Sequence, residues 1–119
     1  MAELRNVLVL ALLVSMSVAA AETTVFASKA FTESVILGEV ASQLTREAGH
    51  ATEHRRQLGG TRVLWSALVR GDIDCYPEYT GTLRTEIFSD RQLGDDGELL
   101  AALTRESIWT SAPLGFNNT

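Results

Sequence analysis

Residues 23–49 read TTVFASKAFTESVILGEVASQLTREAG, and this stretch decides the fold class. Thr23 to Ser28 is short, β-branched and aromatic, which is typical of a strand. After a turn at Lys29-Ala30-Phe31, Thr32 is a predicted N-cap for a helix that Gly49 ends as a C′ residue. Apolar residues recur at helical spacing between these two ends, so we expect them to form the buried face. They are Val35, Ile36, Val40, Leu44 and Ala48, with Leu37 and Ala41 beside them.

The same order of strand and helix repeats along the chain. We predict a second strand over residues 51–57, a helix over 62–70 capped by Thr61, and a short third strand over 73–76. Alternating strands and helices indicate β-α-β units and a mainly parallel sheet with flanking helices. Two further helices are predicted near the end, over residues 80–88, with Leu83 and Ile87 inward, and over 98–107, capped by Asp96, with Leu99, Leu100 and Leu103 inward.

Polar and aromatic side chains follow the predicted strands, where an open parallel sheet holds its ligands. Lys29 follows the first strand, Gly59-Gly60-Thr61 the second, and Tyr76-Pro77-Glu78-Tyr79-Thr80-Gly81-Thr82 the third. Tyrosine faces attract cations, and a lysine and helix N-termini attract anions. Together they suit a small zwitterion. The residues alone leave open a plainer interpretation, in which the tyrosines pack on a core.

The N-terminus is typical of a secretory signal peptide. Arg5 precedes the apolar run VLVLALLV over residues 7–14, and Ala19-Ala20-Ala21 follows as an A-x-A site. The run is shorter than the roughly 20 apolar residues that a bilayer span needs. We therefore predict a signal peptide over residues 1–21, cleaved before Glu22. An uncleaved anchor is the alternative.

Composition excludes several classes of function. The net charge is −5 and there is no basic run, so we expect no nucleic-acid partner. The single cysteine, Cys75, cannot form an internal disulfide, and we expect it to be a buried thiol. His50 and His54 are four residues apart and could face the same way only on a helix, but Gly49 ends the helix before them. We therefore expect neither a metal nor a cofactor. Asp72, Asp74 and Glu78 lack an accompanying nucleophile, so we expect no catalytic residues and no enzyme activity.

Three segments resemble the osmoprotectant substrate-binding proteins of ABC importers, the glycine betaine, choline and carnitine binders of the ProX and OpuBC type. They are ASKAFTESVILGE (27–39), HRRQLGGTRVLW (54–65) and GDIDCYPEYTGTL (71–83). The resemblance implies a type II periplasmic-binding-protein fold, with two α/β lobes that close on a ligand. It also implies a periplasmic or extracytoplasmic location and a membrane permease as partner, with no other contact with the membrane.

The resemblance implies roles for individual residues. Lys29 matches a lysine on the ligand carboxylate, Tyr79 a tyrosine of the cage around the trimethylammonium group, and Thr82 a hydroxyl that holds the carboxylate. Tyr76 is a further cage candidate, although alternation in an extended segment can turn it to the other side. Thr61 belongs to a Gly-Gly-Thr turn that shapes the site, or serves only to cap its helix.

Family members are more than twice as long as this chain. We therefore expect residues 22–119 to be the N-terminal part of lobe 1, ending near the crossover to lobe 2, and to bind ligand weakly or not at all alone. The expected function is the solute-binding component of an importer for quaternary ammonium osmoprotectants such as glycine betaine or choline. The alternative is an interaction domain that docks on a transporter permease without binding solute.

Overall fold

The computed structural model describes residues 20–116. Two parallel strands form a sheet, and the helix between them makes a β-α-β unit, so the predicted fold class is confirmed. The elements in chain order are β1 (Thr24–Lys29), α1 (Thr32–Glu47), β2 (Thr52–Gly59), α2 (Thr61–Arg70), α3 (Thr80–Thr82), a π-helical turn (Leu83–Ile87) and α4 (Asp96–Arg105).

Strand β1 is hydrogen-bonded along both edges. On one side Thr24 lies opposite Thr52 and Lys29 opposite Gly59, with a register shift between Ala27 and Lys29. On the other side the Ala27 amide donates to the Cys75 carbonyl at 2.9 Å. The predicted third strand is therefore in place but reduced to one parallel bridge, between Phe26 and Cys75. The Cys75 side chain is exposed, so the expectation of a buried thiol is wrong.

The face of helix α1 that packs on the sheet is not the one that its apolar residues predict. Ser34, Gly38 and Ser42 are buried, whereas Ile36, Val40 and Leu44 are 56%, 48% and 66% exposed. The cause is close approach: a Cβ on Gly38 would lie 2.7 Å from His54 Nε2 and 3.3 Å from the Ala27 carbonyl oxygen. Only small side chains fit in that gap, so Ile36, Val40 and Leu44 face outward.

The helix ends show which capping predictions hold. Gly49 and Gly71 have positive φ angles of 95° and 79°, as expected of residues that end helices. Thr32 and Thr61 do not cap, because α1 and α2 begin at these threonines and Phe31 and Gly60 are their N-caps. In α4 the cap is Asp95 rather than the predicted Asp96, and its carboxylate accepts from the Glu98 amide at 2.8 Å.

Two small apolar clusters hold the described part of the chain together. One joins β1 and α2 to the segment after α2, through Ala27, Leu64, Ala67 and Ile73. The second joins the π-helical turn to α4 and consists of Leu83, Phe88, Leu99, Ala102 and Leu103. Leu99 and Leu103 face inward as predicted, while Leu100 is 49% exposed.

The two ends of the chain are where the signal peptide and the crossover to a second lobe are predicted. The predicted signal peptide lies over residues that are, except for Ala20 and Ala21, outside the described range. From residue 20 to residue 116, no helix is long and apolar enough to cross a bilayer. Residues 114–116 have no regular secondary structure and are exposed.

Candidate functional site

The last residue of β1, Lys29, is the centre of the candidate site. It is 6% exposed, and its ammonium group donates to Thr61 Oγ1 at 3.0 Å and to Glu78 Oε1 at 2.5 Å. Thr61 opens α2 and Glu78 precedes α3, so the ends of three successive segments meet here. The topology brings them together because parallel segments end at the same edge of a sheet.

Glu78 is the residue whose role the sequence interpretation missed. Its Oε1 atom accepts from the Tyr79 amide at 2.9 Å as well as from Lys29. The Lys29 and Glu78 side chains are each 8% exposed, so this is a buried ion pair. A lysine is almost never fully buried without a partner, and a carboxylate lay between the two tyrosines of the motif. Those two facts were the available signal for the pairing.

Tyr79 sits beside an aromatic neighbour and a carboxylate. Its hydroxyl donates to Glu33 Oε1, and its ring stacks on Phe31 with centroids 6.4 Å apart and planes at 25°. Burial, together with the Glu33 carboxylate, raises the pKa of Tyr79 to about 12. The phenol therefore stays protonated at neutral pH and keeps donating to Glu33. The Lys29 ammonium lies 6.0 Å from the Phe31 ring centroid.

An open cleft of about 370 Å³ lies beside this group. Thr82 is on its wall, together with Glu86. The remaining lining residues are Lys29, Ala30, Phe31, Gly59, Gly60 and Thr61. The cleft therefore collects Lys29, Thr61 and Thr82 from the predicted site residues, with Tyr79 stacked behind Phe31.

Tyr76 is placed elsewhere. It packs against the cluster formed by Ala27, Leu64, Ala67 and Ile73 rather than on the cleft wall. Burial and the nearby Glu78 carboxylate raise the pKa of Tyr76 well above its usual range. The alternation of side chains in the extended segment turns Tyr76 inward and Tyr79 to the other side, where it stacks on Phe31.

Acidic groups slightly outnumber basic ones around the cleft. Glu33 and Glu86 are acidic, and the Arg62 guanidinium donates to the Glu86 backbone carbonyl at 2.6 Å. Lys29, the one cation among the lining residues, is matched by Glu78, and the Phe31 ring presents an electron-rich face. The arrangement is suited to binding a ligand.

A second polar group lies on the opposite side of β1. His54 Nε2 is 3.0 Å from Ser28 Oγ, and His54 Nδ1 is 2.7 Å from Glu39 Oε2, the order of groups found in a serine hydrolase triad. Ser28, however, has no exposed surface, so no substrate can reach its hydroxyl. The Ser28, His54 and Glu39 contacts instead fasten α1 to both strands.

Comparison with known proteins places the chain in a family. Residues 22–119 match the family described as the substrate-binding domain of ABC-type glycine betaine transport systems. The glycine betaine-binding protein YehZ of Escherichia coli K12 is 39% identical over 74 residues, which are 62% of this chain and 24% of YehZ. The ergothioneine transport permease/ergothioneine binding protein EgtU of Helicobacter pylori G27 is 36% identical over 102 residues, 80% of this chain and 18% of EgtU.

A solved structure supports the same assignment. The apo form of E. coli YehZ superimposes with a TM-score of 0.55 at 36% identity, over 60% of this chain and 25% of that one. The chain thus spans about a quarter or less of the length of these relatives. Since the family match extends over all of residues 22–119, the chain belongs to the substrate-binding domains of ABC-type glycine betaine transport systems.

Proposed function

We propose that this chain is the N-terminal part of an extracytoplasmic solute-binding component, which captures a small quaternary ammonium compound for an ABC importer. The observation that carries this proposal is the stacked pair of Phe31 and Tyr79 beside the Glu33 carboxylate, at the edge of the cleft. A quaternary ammonium group cannot donate a strong hydrogen bond, so aromatic faces and nearby negative charge are the contacts that favour it.

We assign the two ends of a zwitterionic ligand to different residues. The ammonium end lies against Phe31 and Tyr79, and the carboxylate end is held by Lys29, Thr82 and Thr61. Lys29 uses two of its three ammonium donors within the protein, which leaves one for a ligand. Glycine betaine and choline share the cationic end and differ at the other, so both are candidate ligands.

The described residues supply only one side of such a site. Each cation–π contact contributes about 0.5–2 kcal/mol, and association costs at least about 4 kcal/mol. We therefore propose that the 119-residue chain binds glycine betaine no more tightly than about 1 mM, which corresponds to about 4 kcal/mol. A chain of the relatives' full length is expected to bind in the micromolar range, since it surrounds the ligand.

An NMR titration of the chain with choline and with glycine betaine tests this function. Both ligands should shift the amide signals of Phe31 and Tyr79, and Tyr79→Ala should abolish both responses. Thr85→Ala, a change at an exposed position on the π-helical turn, is the control. If neither ligand moves any signal and a chain of the relatives' full length also binds neither, a domain that docks on a permease without binding solute becomes the better hypothesis.

The location of the protein is part of the same proposal. We infer export through a signal peptide that ends at Ala21, so that the exported form begins at Glu22. Mass spectrometry of the exported protein should find Glu22 at its N-terminus. Recovery of the chain with Met1 still attached would contradict this.

A further inference from the structure

Lys29 is the only lysine in the whole chain, and its positive charge is paired with a carboxylate of the protein itself. Its ammonium group lies 2.5 Å from Glu78 Oε1, and both side chains are more than nine-tenths buried. An anion-binding lysine has to offer positive charge to its ligand. Here the nearest carboxylate belongs to the protein itself.

The ion pair changes the electrostatic field that a ligand meets in the cleft. Two opposite charges at this distance act on a ligand several ångströms away as a small dipole, because their long-range fields largely cancel. The remaining charges near the cleft are two acidic groups, Glu33 and Glu86, and one basic group, the Arg62 guanidinium, which donates to the Glu86 backbone carbonyl at 2.6 Å. A ligand carboxylate thus meets a hydrogen-bond donor without net positive charge, while a cation meets net negative charge.

We propose that Glu78 sets the ligand class of this site by neutralising Lys29, so that the cleft selects the cationic end of a ligand and discriminates weakly between zwitterions and simple cations. The inference rests on the proposed function, since it concerns the same cleft. It assigns Glu78 a specificity-determining position.

The first experiment asks whether Glu78 restrains Lys29, with no ligand present. A succinimidyl ester labels exposed amines, and because Lys29 is the only lysine, mass spectrometry of the peptide that contains it reports on this residue alone. In native protein the labelling rate should be at least about tenfold below the rate in 6 M urea. Glu78→Gln should raise the native rate at least about tenfold, since loss of one partner of a buried pair releases the other.

Glu86→Gln is the matched control. It removes the same charge from the cleft wall, and Glu86 has no hydrogen bond to Lys29, so the Lys29 labelling rate should not change. If native Lys29 labels as fast as it does in urea, the pair does not restrain it and the inference fails. That comparison needs no variant, so it decides the point even if Glu78→Gln does not fold.

The second experiment tests the cationic and anionic ends of a betaine as two separate ligands. Tetramethylammonium chloride and sodium acetate are titrated separately into the parent chain and into the Glu78→Gln variant, with the Phe31 and Lys29 signals observed by NMR. The parent should respond to tetramethylammonium and bind acetate at least about tenfold more weakly. The variant should gain acetate affinity by about tenfold, because Lys29 then carries an unmatched charge.

The outcomes separate the two proposals. Equal acetate affinity in parent and variant would overturn the role of Glu78, even if tetramethylammonium binds. If neither the parent nor a chain of the relatives' full length binds choline or tetramethylammonium, the proposed function fails, while the labelling rates still decide whether Glu78 holds Lys29. Acetate binding by the parent as tight as that of tetramethylammonium would also overturn the inference.

Discussion

Helices α1 and α4 both carry leucine, isoleucine or valine at helical spacing, yet they bury different faces. In α4 the apolar residues are inside: Leu99, Ala102 and Leu103 are 2%, 1% and 2% exposed. In α1 the small residues Ser34, Gly38 and Ser42 are inside, and Ile36, Val40 and Leu44 are outside. Periodicity therefore identifies a helix in both cases, but the space beneath the helix decides which face is buried.

The difference follows from what each helix packs against. Helix α4 lies on the side chains of the π-helical turn, where Leu83 and Phe88 leave gaps that large residues fill. Helix α1 lies on the strands themselves, within reach of the Ala27 carbonyl and the His54 ring. Its contacts are polar, including a hydrogen bond that the Lys29 amide donates to Ser34 Oγ at 2.8 Å. The following substitutions test this contrast.

Leu103→Ala should have the largest effect on stability. Leu103 is 2% exposed in the α4 cluster, and removing a buried leucine side chain costs about 2–5 kcal/mol. Urea unfolding should show a lower midpoint with an unchanged slope. Leu100→Ala, on the exposed side of the same helix, is the control and should stay within about 0.5 kcal/mol of the parent. Equal losses in the two variants would mean that α4 does not pack as described.

Gly38→Ala should have the next largest effect. The added Cβ would lie 2.7 Å from His54 Nε2, and overpacking of this kind costs about 1–3 kcal/mol. Gly81→Ala is the matched control, because nothing lies within 4 Å of the Cβ that it adds. In the control, better helix propensity should leave stability unchanged or slightly raised. A stabilised Gly38→Ala protein would show that α1 sits farther from the sheet.

Acid should weaken the attachment of α1 to the sheet. Hydrogen bonds from His54, Gln43 and Arg56 lower the pKa of Glu39 from 4.5 to about 2. A carboxyl group with a lowered folded-state pKa contributes stability that is present above pH 4.5 and is lost as the pH falls toward 2. Urea midpoints measured over that range should fall more steeply for the parent than for Glu39→Gln. Parallel pH profiles would contradict the assignment.

Leu44→Gln should have the smallest effect. Leu44 is 66% exposed on the outward face of α1, so its replacement should change the free energy of unfolding by no more than about 0.5 kcal/mol. Sedimentation should show equal or weaker self-association, because an exposed apolar residue is removed. A loss above about 1.5 kcal/mol would show that this face is covered in solution.

The sequence predicted the order of the elements well, because strand propensity, helical spacing and terminal glycines are local signals. Gly49 and Gly71 end their helices as expected. It also placed Lys29, Thr61 and Thr82 at one edge, since parallel topology alone brings strand ends together. The orientation of α1 was not predictable from periodicity, because it depends on the distance between Gly38 and a side chain on β2.

The hydrogen-bond partners of Lys29 are the other feature that the sequence did not predict. The sequence predicts Thr61 as part of a turn that shapes the site or as a helix cap, but not that its hydroxyl accepts from Lys29, a contact between residues 32 positions apart. The partner of Lys29 was likewise hidden by sequence distance, since Glu78 is 49 positions away. Local patterns carry no information on which of several carboxylates a buried amine meets.

The two bonded edges of β1 have a consequence for the order of events during folding. Its Val25 amide donates to the Asp74 carboxylate, a contact between residues 49 apart, at 2.7 Å. Strand β1 is therefore complete only when a segment 49 residues further along the chain has come into place, and until then its free edge is open to pairing with another chain.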